Sequence, residues 1–123
     1  MDTYGKEVVL DLHDCDVSQF NRKKLRKYFK EICILINMQR CKLVFWDDIG
    51  VLEEEKQILP HTTGTSAVQF ILTSSIVIHT LDVLGKVFIN VFSCKDFDPD
   101  VVKTFTENFF NGKIANSVFI DRL

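Results

Sequence analysis

Apolar and polar residues alternate loosely over residues 6 to 13, KEVVLDLH, which predicts a first strand. The period then changes. Leu25, Tyr28, Phe29, Ile32, Leu35 and Ile36 recur at three- and four-residue spacing, and Asp16 followed by Gln19 reads as a capping box, so the pattern predicts a helix over 17 to 37. A second strand fits 41 to 46. A polar segment with Glu53, Glu54 and Glu55 then leads to Pro60 and Gly64. Three further strands are expected at 66 to 72, 76 to 80 and 87 to 92, with Ser74 and Ser75 at a bend. Asp98 before Pro99 is a cap followed by a first-turn proline, and Val102, Phe105 and Phe109 give that second helix its buried stripe. Asn111-Gly112 closes it, and 114 to 120 forms the last strand. Short links between consecutive strands imply an antiparallel sheet with both helices on one face. The expected fold is α+β, a two-layer sandwich, in one domain spanning 1 to 123.

Composition narrows the classes of function. A net charge of −2 provides no global attraction to nucleic acid or to an anionic membrane. The basic run from Arg22 to Lys30 reads as a solvated helix face without an interleaved aromatic platform. Apolar residues never run for the roughly 18 positions a membrane span needs. The opening MDTYGKEVV lacks the features of a signal peptide, so the expectation is a cytoplasmic protein. Cys15, Cys33, Cys41 and Cys94 show no CxxC spacing and read as reduced thiols. His13 with Cys15 lacks a second ligand pair, so no metal site is expected. Asp47 and Asp48 read as a turn. Asp11 is open to two readings, one facing a site and the other facing solvent at a sheet edge.

The chemistry concentrates between residues 66 and 94, SAVQFILTSSIVIHTLDVLGKVFINVFSC. Reactive side chains among strand residues must find partners or serve chemistry. Singly, His79 reads as a hydrogen-bonded structural histidine and Cys94 as a small buried hydrophobe. Together they form a pattern: Ser66 lies eight residues before Ser74, His79 five after it, and Cys94 fifteen beyond that. This block resembles the self-cleaving core of the prokaryotic-type S-adenosylmethionine decarboxylases. The likeness extends from GKEVVLDLHDCD to the final helix and strand.

The resemblance implies cleavage between Thr73 and Ser74, leaving a pyruvoyl group derived from Ser74 as the cofactor. It implies that His79 assists the elimination and Ser66 steadies the intermediate. The pyruvoyl ketone would take a small-molecule substrate amine as a Schiff base, and Cys94 would reprotonate the carbanion left by loss of CO₂. The substrate implied is S-adenosylmethionine, on the route to spermidine, and the assembly implied is a homodimer. The sequence departs from the family pattern at several places. Thr73 stands where a glutamate is usual, and Ser75 where a histidine is common. Leu81 and Val83 replace a tryptophan and an acidic residue, Asp82 stands one position early, and Ile58 replaces an aromatic. Those departures leave two alternatives: the same chemistry on a basic amino acid such as arginine or ornithine, and a non-catalytic, uncut relative that binds or regulates another protein.

Overall fold

The structure is a computed structural model, and residues 3–123 are described; Met1 and Asp2 of the expected domain lie outside the described residues. The elements are β1 (Gly5–His13), α1 (Arg22–Leu35), β2 (Arg40–Trp46), β3 (Ser66–Ile71), β4 (Ser74–Leu81), β5 (Lys86–Ser93), α2 (Pro99–Phe110) and β6 (Lys113–Arg122). Single 3-10 turns occur at Val17–Gln19 and Glu53–Glu55. The six strands hydrogen-bond in the order β2-β3-β4-β5-β1-β6, every neighbouring pair antiparallel. The expected α+β sandwich is therefore present. β1 is an interior strand, so Asp11 is not at a sheet edge.

Alternation decides the two faces of the sheet. Val8, Leu10 and Leu12 of β1, Ile76 and Ile78 of β4, and Val87, Ile89 and Val91 of β5 are buried beneath the helices. From α1 they meet Leu25, Tyr28, Phe29, Ile32 and Cys33, and from α2 Val102 and Phe110. The Tyr28 hydroxyl shares a hydrogen bond of 2.7 Å with Thr106 Oγ1 at full burial, which ties the helices together through one polar contact. Burial keeps that phenol protonated far above its ordinary range.

Three expectations about the helices need correction. Asp16 caps only the 3-10 turn, accepting from Ser18 N, and α1 starts at Arg22 after an Asn21 cap that accepts from Lys24 N. Asn21 competes for the same cap role and sits closer to the apolar stripe, so it wins. Leu35 is half exposed and Cys33 takes the buried position. On α2 the buried line runs through Val102, Thr106 and Phe110, while Phe105 and Phe109 are half-buried at its border. The caps of α2 are as expected: Asp98 accepts from Asp100 N, and Asn111 ends the helix at φ 48°.

Candidate active site

Ile71 pairs with Ser74, so only Leu72 and Thr73 connect β3 to β4. Two-residue hairpin loops need positive φ and favour Gly, Asn or Asp. None is present here, and Thr73 takes φ 54°. Among the described residues the other non-glycine positions with positive φ are Asp14, Asn37 and Asn111, all types that tolerate it. Thr73 is β-branched and does not. The left-handed conformation costs it roughly 1–2 kcal/mol, stored on the carbonyl side of the Thr73–Ser74 bond.

Ser74 opens β4 with its side chain on the helix side, buried, where Oγ accepts the Cys94 N–H at 2.9 Å. Cys94 follows the last residue of β5 and brings Sγ to 3.0 Å from Thr73 Oγ1. Hydrogen bonding to Ser74, and then to Thr73, holds the Cys94 thiol below its ordinary range. Burial does the opposite to Cys15 and Cys33, pushing each up to about 11. The strand end is fitted closely: a Cβ on Gly5 would lie 2.0 Å from Ser93 O.

A second cluster sits on the helix-free face, toward the other end of β4. Ser66 Oγ and His79 Nδ1 share a hydrogen bond of 2.7 Å. The register extends this pair into a row across the sheet: Trp46 opposite Ser66, His79 opposite Phe88, Phe88 opposite Asp11, and Asp11 opposite Asn116. A cleft of about 520 Å³ opens over one end of the row, lined by Trp46, Asp48, His61, Ser66, His79 and Phe88. Asp47 is committed elsewhere, gripped by Arg22 at 2.6 and 2.7 Å, which holds its carboxyl below the usual range. The next row along the same face is largely apolar, with Val44, Val68, Val77, Val9 and Val118 around Asn90.

Of the four candidate residues, the structure joins Ser74 to Cys94 and Ser66 to His79, and it separates the pairs. His79 is five residues along β4 from Ser74, roughly 16 Å at strand rise, and on the opposite face. Ser74 and Ser75 also prove to be the first residues of the strand, with the turn, Leu72–Thr73, two positions earlier than the expected bend. Trp46 and Phe88 line the cleft without having been singled out in the sequence, and Asp48, read there only as a turn residue, lines it with them. Their signal is pairing register, which periodicity alone does not carry. Leu81 also lines the cleft, whereas Ile58 is 85% exposed outside it. Among the described residues, no three His, Cys, Asp or Glu side chains gather into a metal cluster, and no helix is long and apolar enough to cross a membrane.

Comparison with known proteins gives a consistent set of relatives. The family model described as S-adenosylmethionine decarboxylase matches residues 6–123. The S-adenosylmethionine decarboxylase proenzyme of Bacillus cytotoxicus is 26% identical over 124 aligned positions, covering 99% of this chain and 86% of the relative. S-adenosylmethionine decarboxylase proenzyme 1 of Bacillus anthracis gives the same figures. Among solved structures, the adenosylmethionine decarboxylase of Aquifex aeolicus superposes with a TM-score of 0.75 at 17% identity, over 99% of this chain and 92% of that one.

Proposed function

The chain belongs to the S-adenosylmethionine decarboxylase family, and from that premise we propose that it is a self-processing, pyruvoyl-dependent decarboxylase acting on S-adenosylmethionine. The observation that carries the reading is the Leu72–Thr73 turn. It joins a residue held at positive φ, Thr73, to the Ser74 hydroxyl, which accepts the Cys94 N–H, and to the Cys94 thiol, which meets the Thr73 hydroxyl.

Ser74 Oγ attacks the Thr73 carbonyl carbon through a five-membered ring, breaking the C–N bond and leaving an ester and a free amine. Loss of the Ser74 Cα proton then expels the Thr73 carboxylate. The resulting dehydroalanine takes up water and releases ammonia, so residue 74 becomes a pyruvoyl group at the head of the 75–123 segment. The residues present suit that origin: the turn relaxes when the bond opens, and the backbone N–H of Cys94 fixes the position of Ser74 Oγ. Once formed, the pyruvoyl carbonyl supplies an electron sink for a substrate amine losing CO₂. Cys94 is the group that returns a proton in this reading, and hydrogen bonding to Ser74 and Thr73 holds its thiol below the ordinary range.

His79 and Ser66 take part through a second copy of the chain. A two-fold axis crossing β4 near Val77, with the helix-free faces packed together and the strands antiparallel, would set the Ser66–His79 pair of one copy over the turn of the other. The apolar row on that face, with Phe70 47% exposed beside it, supplies a reason to pack.

The denatured mass of freshly purified protein tests the reading. Two fragments divided at Thr73–Ser74, the later one carrying a hydroxylamine-reactive carbonyl, are expected, with CO₂ released from carboxyl-labelled S-adenosylmethionine. A chain still whole after prolonged incubation would refute it in favour of an uncut relative. CO₂ released from arginine or ornithine alone would move the substrate. Cys94→Ala should still cut itself but turn over poorly, and full turnover by that variant would remove the proton-donor role.

A further inference from the structure

The chain has one tryptophan, and it is placed where a core residue would not be. Trp46 is the last residue of β2, 81% exposed on the helix-free face. Its cross-strand neighbour is Ser66, the hydrogen-bond partner of His79, and its ring lines the 520 Å³ cleft. The next residue, Asp47, is clamped to α1 by Arg22, so the backbone that presents the indole is fixed from the opposite side of the sheet. Phe88 stands three strands away in the same row, roughly 14 Å at normal strand spacing, with Ser66 and His79 between.

A wide flat surface, a polar pair beside it and an aromatic at the far wall suit a ligand with a planar ring at one end. The rim carries suitable polar groups. Asp48 uses Oδ2 to accept Gln57 N at 2.9 Å, and Oδ1 has no hydrogen bond among the described residues. His61 is exposed at the same mouth. Asp48 Oδ1 can therefore accept from an exocyclic amine or a ribose hydroxyl. An ornithine side chain would satisfy that carboxylate and leave the indole face uncovered, and an arginine guanidinium, although it can stack, covers less of the indole than a purine does.

We propose that Trp46 is the stacking residue of the substrate cleft, holding the purine ring of an adenosyl substrate while Asp48 accepts a hydrogen bond from that substrate. This rests on the decarboxylase reading above and assigns the ring recognition to a strand that the family pattern of the sequence does not mark. Leu81 and Ile58 have no flat face to offer, and Trp46 supplies one from β2.

Because Trp46 is the only tryptophan, its fluorescence in the purified wild-type protein reports the contact directly. In the ligand-free protein the indole should be reachable by acrylamide at the cleft mouth. S-adenosylmethionine and methylthioadenosine should quench it saturably, and arginine should not. Calorimetric titration with methylthioadenosine should show Trp46→Ala weakened by roughly 5- to 150-fold, the loss one base–aromatic stack produces, and Trp46→Phe weakened less. Binding that leaves the emission unmoved and survives Trp46→Ala would overturn the assignment, while CO₂ release from S-adenosylmethionine by the same preparation would leave the decarboxylase reading standing. Acrylamide-shielded emission that neither S-adenosylmethionine nor methylthioadenosine changes would place the indole fully under the second copy and also overturn it. Absence of binding by either ring ligand, with CO₂ released only from arginine, would remove both readings together.

Discussion

Thr73 allows the link between backbone strain and self-cleavage to be measured. Its φ of 54° costs a β-branched residue roughly 1–2 kcal/mol, and glycine would occupy the same turn without that cost. Thr73→Gly therefore stabilises the uncut chain by the relieved strain of roughly 1–2 kcal/mol less the extra backbone entropy of glycine, about 0.5–1 kcal/mol, leaving a net gain of about 0.5–1 kcal/mol. For a chain of this length that is a rise in Tm of roughly 2–6 °C. If the strain is released as the Thr73 carbonyl becomes tetrahedral, losing it slows cleavage by up to about 5- to 30-fold, at 1.36 kcal/mol per decade. Two companion variants separate the causes. Thr73→Asn tolerates the left-handed region and keeps a polar group; Thr73→Val keeps the strained β-branch and loses the hydroxyl that meets Cys94. The assay is intact mass against time after refolding, with a thermal melt of each uncut chain. Slow cleavage in the Gly and Asn variants, with near-normal cleavage in the Val variant, is the expected order. Wild-type rates and melting in the Gly and Asn variants would show that strain at this turn drives nothing.

The separation of Ser74 from His79 makes a complementation test decisive. A His79→Ala chain should stay uncut alone, yet be cut when co-expressed with Ser74→Ala, because the second chain brings an intact Ser66–His79 pair. Failure of rescue, in a mixed dimer shown to form by native mass, would confine the chemistry to one chain. Alkylation of Cys94 in the uncut protein should have its pH midpoint below the ordinary thiol value of 9.0, since hydrogen bonds from Ser74 and Thr73 favour the thiolate. Removing the Ser74 hydroxyl should move that midpoint upward, so an unchanged profile for Ser74→Ala would contradict the assigned cause. In the core, Tyr28→Phe leaves Thr106 Oγ1 buried without its 2.7 Å partner and should cost about 1–3 kcal/mol in urea denaturation. A loss below a few tenths would mean that the helix–helix contact rests on packing alone.

Some of this architecture is local and was open to reading along the chain. The caps of α2 depend on Asp98, Pro99 and Asn111 and on little else, so sequence and structure agree there. The start of α1 does not, because Asp16 and Asn21 both carry a capping side chain and only packing of the apolar stripe decides between them. The β3–β4 turn was expected at Ser74–Ser75, two positions late, for a related reason. Its residues, Leu72 and Thr73, are poor turn formers, held in place by the ladder from Ile71–Ser74 onward.

The candidate site divides along the same line. The spacing of Ser66, Ser74, His79 and Cys94 is a property of the sequence, and it identified the family without any coordinates. Which of the four touch is a property of the sheet. With side chains alternating at every residue, an odd separation along β4 puts Ser74 under the helices and His79 on the other face. Which aromatic stands beside the serine–histidine pair depends on inter-strand register. Trp46 lies 20 positions before its neighbour Ser66, and Asp11 lies 77 before Phe88. Strand pairing brings such distant residues together through backbone hydrogen bonds and burial of the opposite face, and neither leaves a mark on the spacing of the residues that meet.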